Sequence, residues 1–432
     1  MVDAAAIIRQ SWADAWRSSR PGRPGREHLT AAIEWLCRAQ DATGDGGVAA
    51  WYSLVSGWAP SYIETTGYII QTFLAAAEYF GDETLAERAL VMADFLVEMR
   101  HSSGGLRTHP PTVKRRSSPT IFNTGQDLIG LADAAEYLDR YLRLRESRRP
   151  AVSSRRNSRL KRHHPRAKRR RSAYRRTLAG AAEFLCRVQR ADGSWVRFTF
   201  GGVSHSYHSR VALGLLRAWQ VLGKEKYRRQ AVKQLDWARS HQLDNGWFSR
   251  AELPPPNPPL PYTHTIAYVV EGLLWSGLIL EDEQLIEAAR RTAQPVRDYF
   301  LRHDKLPATF DAEWQSGDSY SCLTGNAQFA VIWWQLGETT GEAKYRQAAR
   351  RLTGQLKSSQ DLVTGNLSVN GAIPGSFPVY GDLARNAGYC RLAYLNWATK
   401  FFADALLFCE TQSASRSLPL LGMTGWRSGT RQ

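Results

Sequence analysis

The chain has 432 residues, 43% of them hydrophobic and 22% charged, which supplies a large core and excludes an intrinsically disordered protein. Its formal charge is +17, but residues 140–176 hold seventeen basic residues and one acid, so the remaining chain is almost neutral. A nucleic-acid-binding fold would carry its basic residues on the folded surface, and this distribution argues against one. The five cysteines lack the spacing of a disulfide framework or a zinc site. No secretory leader or membrane-spanning apolar run is seen, so we expect a cytoplasmic protein with no membrane and no specific nucleic-acid partner.

In chain order, the predicted elements start with a lead-in helix within residues 1–28. Six amphipathic helices then end in similar phrases, at Gln40, Arg100, Gln189, Gln242, Arg302 and Gln360. Their spacing is near 60 residues except for one interval of 89, which contains the basic tract 140–176. That charge density predicts an exposed, mostly disordered insertion, able to contact polyanions non-specifically. Residues 411–432 have no repeat character and are predicted to form a flexible tail.

A second set of helices alternates with the first and is apolar nearly all round, over 66–80, 123–138, 204–222, 263–280, 322–340 and 396–408. Such helices are expected to be buried, so this set is predicted to lie inside the first. Short turns lead from inner to outer helices, and long loops rich in glycine, proline and aromatic residues lead back. The pattern predicts an all-α fold, a single (α/α)6 toroid over residues 29–410, with the long loops and the functional site at one end.

Several segments carry a resemblance, among them GWAPSYIETTGYI, SHSYHSRVALGLL, PYTHTIAYVVEGLL, SYSCLTGNAQFAVIWW and NWATKFFADALL. The chain resembles the toroids of the six-hairpin glycosidase type, especially uncharacterised members associated with bacterial polysaccharide gene clusters. The resemblance implies a carbohydrate-active protein, on a fold that hosts hydrolases, polysaccharide lyases, epimerases and isomerases. The segment QRADGSW at 189–195 is similar to the repeat of squalene-type cyclases, but the acidic motifs that cyclase chemistry needs are missing.

Four carboxylates are candidates for general acid and base catalysis of glycoside hydrolysis, which needs two. Glu64 lies among aromatic residues in the loop before the first inner helix. The alternative is that Glu64 only caps that helix. Asp127 opens the second inner helix; it is expected to be paired, protonated or functional if it faces the axis, and an ordinary solvated acid if it points outward. Asp311 and Glu313 belong to the long loop of the fifth unit, from which a partner for Glu64 is expected.

Aromatic, amide, histidine and arginine side chains at the long-loop end are predicted to bind the saccharide. Arg210 suits the carboxylate of a uronic acid, although a salt bridge to a neighbouring acid would give the same sequence pattern. Lys400 and Asp404 are expected to pair along one helix. No metal or cofactor is expected. The predicted saccharide contacts are Trp51, Trp58, Tyr62, Tyr68, Asn123, Gln126, His205, Tyr207, His208, Arg210, Tyr262, His264, Tyr268, Trp314, Tyr320, Asn326, Gln328, Asn396 and Trp397.

The sequence therefore predicts a glycan hydrolase acting on an oligo- or polysaccharide, and a saccharide that contains uronic acid is one option. A lyase or epimerase on the same fold stays open, and a lyase would depend on Tyr207, His208 or His264 with Arg210. A non-catalytic glycan-binding toroid and a cyclase-like enzyme stay open as well. The sugar, the linkage and the oligomeric state are not fixed by the sequence.

Overall fold

A computed structural model describes residues 23–110, 113, 117–147, 158–253 and 260–412, without the side chains of 158–164 and 410–412. These ranges contain twelve α-helices, which we number along the chain. They are α1 (Gly25–Asp41), α2 (Ile63–Phe80), α3 (Glu83–Glu98), α4 (Ile121–Ser147), α5 (Ser158–Val188), α6 (Ser209–Leu222), α7 (Glu225–Arg239), α8 (Thr263–Leu280), α9 (Glu283–His303), α10 (Leu323–Thr340), α11 (Ala343–Ser359) and α12 (Asn396–Gln412).

The even-numbered helices form a closed inner ring, and the odd-numbered helices surround it. Each inner helix packs against the next, and α12 packs against both α2 and α1, so the last inner helix meets the first hairpin. The predicted (α/α)6 toroid is confirmed. Among the described residues, α8 alone is long and apolar enough to cross a membrane, and as an inner helix it is buried along nearly its whole length.

Close approach of the inner helices depends on glycines in their interiors. A Cβ atom at Gly130 of α4 would lie 1.9 Å from the carbonyl oxygen of Gly67 in α2. A Cβ atom at Gly214 of α6 would lie 2.2 Å from the carbonyl oxygen of Gly125 in α4. Glycine weakens a helix interior relative to alanine, so packing of backbone against backbone accounts for these positions.

Short turns occupy one end of the ring. The carboxylate of Asp82 accepts a hydrogen bond from the backbone N–H of Thr84 at 2.9 Å and caps α3. Asp282 caps α9 in the same way, accepting from the N–H of Gln284 at 2.9 Å. Because these turns are two residues long, the long loops all emerge at the opposite end.

In the described part of the chain, five short strands tie the long loops together: β1 (Trp51–Ser53), β2 (Gly57–Trp58), β3 (Ser321–Cys322), β4 (Ser376–Phe377) and β5 (Ala393–Leu395). β1 pairs antiparallel with β2, with Tyr52 opposite Trp58, and with β5, with Tyr52 opposite Tyr394. β3 pairs antiparallel with β4, with Cys322 opposite Ser376. The β1–β5 pair joins the first long loop to the last one.

The basic tract 140–176 is largely helical, because α4 continues to Ser147 and α5 begins at Ser158. The buried guanidinium of Arg170 pairs with Glu87 at 2.8 Å and Asp94 at 2.7 Å, both on α3. The hydroxyl of Tyr174 also donates to Asp94, at 2.7 Å. The prediction of a disordered insertion is wrong for the described part of the tract, since acids of α3 and α4 neutralise one face of α5. Residues 148–157 lie outside the described residues.

The two ends of the predicted domain map are described only in part. Of the expected lead-in helix 1–28, residues 25–28 form the start of α1 and 1–22 lie outside the described residues. Of the expected tail 411–432, residues 411–412 still belong to α12 and 413–432 lie outside the described residues.

Candidate active site

Glu64 stands in the first turn of α2, where the helix dipole favours a carboxylate. Its carboxylate accepts a hydrogen bond from the hydroxyl of Tyr62 at 2.6 Å, and no backbone N–H of the described residues donates to it. The capping role is therefore not what the structure shows. Burial raises the pKa of Glu64 to about 7, against the lowering effects of the Tyr62 hydrogen bond and the charge of Arg210. Glu64 is poised to exchange a proton near neutral pH.

Asp127, in the second turn of α4, is fully buried, and neither of its carboxyl oxygens has a hydrogen-bond partner among the described residues. Burial, and then the negative charge of Glu64, raise the pKa of Asp127 well above its ordinary value. The possibility of an ordinary solvated acid is excluded. Two carboxyl groups whose charges interact thus lie at the long-loop end, and burial favours the protonated form of both.

Arg210 lies beside these carboxyls but is already engaged. Its guanidinium forms an ion pair with Glu271 of α8, and both side chains are 2% exposed. Its Nε donates to Oε1 of Gln126 at 2.8 Å, and its guanidinium lies over the ring of Tyr268 at 5.0 Å. The expectation that Arg210 binds a substrate carboxylate is therefore replaced by a salt bridge to a neighbouring acid. Glu271 was not among the predicted residues, because it lies inside an apolar helix.

A chain of hydrogen bonds continues from Glu271 to a histidine. Nε2 of Gln328 donates to Glu271 at 3.1 Å, and Oε1 of Gln328 lies 2.6 Å from Nδ1 of His264. Burial lowers the pKa of His264 to about 3, so its imidazole is neutral. Since Oε1 can only accept, Nδ1 carries the proton and Nε2 is the acceptor nitrogen of His264.

Aromatic rings surround the two carboxyls. The hydroxyls of Tyr68 and Tyr268 are 3.4 Å apart, and the ring of Phe122 packs at 5.0 Å from Tyr268 and 5.3 Å from Tyr207. On the α12 side, the ring of Trp397 lies 6.0 Å from that of Tyr62. Amphipathic rings of this kind bury apolar faces while offering hydroxyls, which is what a sugar ring requires. Phe122 was not predicted as a site residue, because the sequence indicates nothing about it except that it precedes Asn123.

Tyr389, from the long loop before α12, packs against side chains at the start of α8 and α12. Its hydroxyl accepts a hydrogen bond from Nε1 of Trp397 at 3.2 Å. Its ring packs 4.9 Å from Tyr262 and 5.5 Å from His264. Tyr389 was not predicted either, because the long loop carries no periodicity that relates it to the inner helices. Glu64 itself is 8% exposed.

The histidines that precede α6 form a small cluster of their own. His205 stacks on Tyr207 with the rings 4.4 Å apart, and its Nε2 lies 3.0 Å from the carbonyl oxygen of Phe200. Burial lowers the pKa of both His205 and His208, so both are neutral. Within the described ranges, no group of three or more His, Cys, Asp or Glu side chains is arranged to hold a metal ion.

The two acids of the fifth unit are not brought to Glu64. The carboxylate of Asp311 accepts from the backbone N–H of Gln315 at 2.7 Å, within its own loop, and Glu313 is exposed. Trp314 donates from Nε1 to the carbonyl oxygen of Asn245 at 3.1 Å and packs there. Here the structure differs from the expected pairing, since Asp311 orders its own loop, and the carboxyl whose pKa is raised by the charge of Glu64 is Asp127.

The remaining predicted contacts divide between packing and the site. Trp58 packs on Trp35 beneath the first loop, Tyr320 packs with Tyr262 in a small separate cluster, and Asn396 donates to the carbonyl oxygen of Ala49 at 2.9 Å. Trp51 is the most exposed of the predicted rings, at 37%, and contacts Trp397 edge-on. Asn123 and Asn326 are buried, and Oδ1 of Asn326 has no partner in the described part of the chain. The expected pairing of Lys400 with Asp404 is confirmed, at 2.5 Å.

No protein-family model matches the chain, and no curated protein is similar to it in sequence. Solved structures match its fold. An unsaturated glucuronyl hydrolase specific for heparin is 16% identical over 90% of this chain and 98% of its own, with a TM-score of 0.62. The unsaturated glucuronyl hydrolase of Bacillus sp. GL1, responsible for degradation of glycosaminoglycan, is 15% identical over 90% and 97%, also at 0.62. A sugar epimerase from a ruminal bacterium is 12% identical over 90% and 98%, at 0.61. These neighbours are (α/α)6 toroid enzymes, and the likeness is one of fold.

Proposed function

We propose that the chain is a glycan hydrolase of the six-hairpin glycosidase type, acting on an oligosaccharide that contains uronic acid. The observation that carries the proposal is the pair of buried, interacting carboxyls, Glu64 and Asp127, inside a ring of aromatic side chains at the long-loop end. The two structural neighbours named as unsaturated glucuronyl hydrolases support the choice of substrate class.

The environments of the two carboxyls divide the roles. Asp127 has no partner among the described residues to stabilise its anion, so it holds a proton and is suited to donate it to the leaving oxygen. Glu64 receives a hydrogen bond from Tyr62, which stabilises its anion, so it is suited to take a proton from the attacking water. As the C–O bond breaks, the leaving oxygen gains the Asp127 proton and the water oxygen bonds to carbon. The proton lost by water passes to Glu64.

The experiment is a turnover assay on uronyl oligosaccharides, both saturated and unsaturated, that follows new reducing ends and the absorbance of the unsaturated uronyl group. Glu64→Gln and Asp127→Asn keep the shape of each side chain and remove its acid–base function. Each is expected to lower kcat by about 100-fold or more, the usual contribution of a positioned acid or base. Glu313→Gln, at an exposed acid of the same end, is the matched control and should leave kcat unchanged. Full activity in both site variants would overturn the proposal.

An epimerase is the second candidate, and the neutral His264 favours it. Its Nε2 is an acceptor able to take a proton from carbon, and Asp127 of α4, two helices away along the inner ring, is able to return one. The same assay separates the two, because an epimerase gives an isomeric sugar without new reducing ends. Loss of that isomerisation in His264→Gln, with no hydrolysis in any sample, would assign the chain to this class.

A further inference from the structure

The basic residues of α5 divide into those that pair with acids of the chain and those that do not. Arg170, Arg171 and Arg175 turn toward the ring and pair with acids of α3 and α4, and Arg170 is only 8% exposed. Lys168, Arg169 and Arg176 are exposed, and none of them pairs with an acid of the described residues. The first group is structural. The second remains available to a partner outside the chain.

The last turns of α4 extend this exposed charge. Arg143 and Arg145 are exposed, with no acid partner in the described ranges, and α4 packs along α5. We call Arg143, Arg145, Lys168, Arg169 and Arg176 the basic surface. The one acid in residues 143–147 and 165–176 is Glu146, so this surface carries most of its charge uncompensated.

The structure around α5 fixes the basic surface in place. The ion pairs of Arg170 with α3 and the hydrogen bond from the Tyr174 hydroxyl to the carbonyl oxygen of Leu90, at 2.9 Å, hold α5 against α3. Bases on a fixed helix lose less conformational entropy on binding than bases on a flexible segment. Several bases fixed on one surface suit a linear polyanion, which presents many negative charges.

We propose that the basic surface binds an acidic polysaccharide, the polymeric form of the uronic-acid-containing saccharide on which the active site acts. The negative charge of the ligand is inferred from the basic surface itself. Its identity as a polysaccharide rests on the proposed function. The surface lies at the short-turn end of the ring, away from Glu64 and Asp127. It therefore holds the polymer near the protein and takes no part in bond cleavage.

The test measures binding of fluorescent polygalacturonate to the full chain, in the Glu64→Gln background so that the polymer stays intact. Replacing Lys168 and Arg169 by Ala should raise the Kd about tenfold. It should also lower the slope of log Kd against log salt concentration by about one to two, since each lost contact with a negative charge lowers it by about one. Replacing Arg229 and Lys233 by Ala, two exposed bases of α7, removes the same charge elsewhere and should change the Kd less than about twofold.

Each other outcome has a defined meaning. Equal weakening by the two double variants, or the absence of binding at low salt, would overturn the basic surface as a site. Tighter binding of a DNA duplex than of polygalacturonate at equal salt would overturn the choice of a polysaccharide. Failure of the proposed function is separate, because it shows in turnover of short oligosaccharides, which do not reach from one end of the ring to the other.

Discussion

Replacing Glu64 by Gln should remove a pH dependence from the stability of the fold. The side chain is 8% exposed, and its pKa is about 7 in the folded chain against 4.5 for an unperturbed glutamate. Because the folded state binds this proton more tightly than the unfolded state, unfolding becomes easier as the pH rises from 4.5 to 7. At about 1.4 kcal/mol per pKa unit, the loss is about 3 kcal/mol.

The assay is urea unfolding of the original chain and of Glu64→Gln, at a pH near 4.5 and at one above 7. Glutamine stays neutral, so the variant should gain about 3 kcal/mol relative to the original chain between the two conditions. Glu313→Gln, at an exposed carboxyl, should show no such gain. An unchanged difference between Glu64→Gln and the original chain at both pH values would refute the reasoning, since it would mean that the folded chain does not penalise the Glu64 anion.

Three further predictions concern the frame around the site, and urea unfolding measures each one. Arg210→Met leaves Glu271 buried without its cation and should lower the free energy of unfolding by about 3–5 kcal/mol. A loss below about 1 kcal/mol would mean that the ion pair is not desolvated. Gly130→Ala should lower the free energy of unfolding by about 2 kcal/mol or more, because the inner helices are in backbone contact there. Gly354→Ala, in α11 with open space around it, should raise the free energy of unfolding by about 0.5–1 kcal/mol. A change of the same sign in both variants would refute the packing argument. Arg170→Ala should lower the free energy of unfolding by about 2 kcal/mol and weaken the helical circular dichroism signal, since this side chain joins α5 to α3. An unchanged signal would mean that α5 stays helical without the ion pairs of Arg170.

The architecture was predictable because it depends on periodicity. Inner helices are apolar on all sides and outer helices on one side, and apart from the basic tract the connections alternate between short turns and long loops. The ring, its two layers and the functional end therefore follow without tertiary information. Glu64 and Asp127 were found for the same reason, since each lies within two turns of the start of an inner helix. Their pairing was not predicted, because the distance between two helices does not appear in sequence spacing.

The missed features depend on contacts between distant segments. Glu271 is one polar residue in an apolar helix, and only the position of Arg210 on α6 makes it part of an ion pair. Tyr389 reaches the site because its loop folds over α8 and α12. The basic tract was misjudged because its composition gives no information about acids on α3 that lie more than seventy residues earlier. Local charge density predicts disorder only when no neighbour supplies the opposite charge.

The seam of the ring has a consequence for how the protein is made. Strand β1, near residue 51, pairs with β5, near residue 395, and α12 packs on α1 and α2, so the contacts that complete the ring join segments made early and late in synthesis. During translation, the side of α2 that packs against α12 stays uncovered until all the later hairpins have been synthesised. Until α12 has emerged from the ribosome, the inner helices can form only an open arc, because the contacts that close the ring are made by α12 and β5.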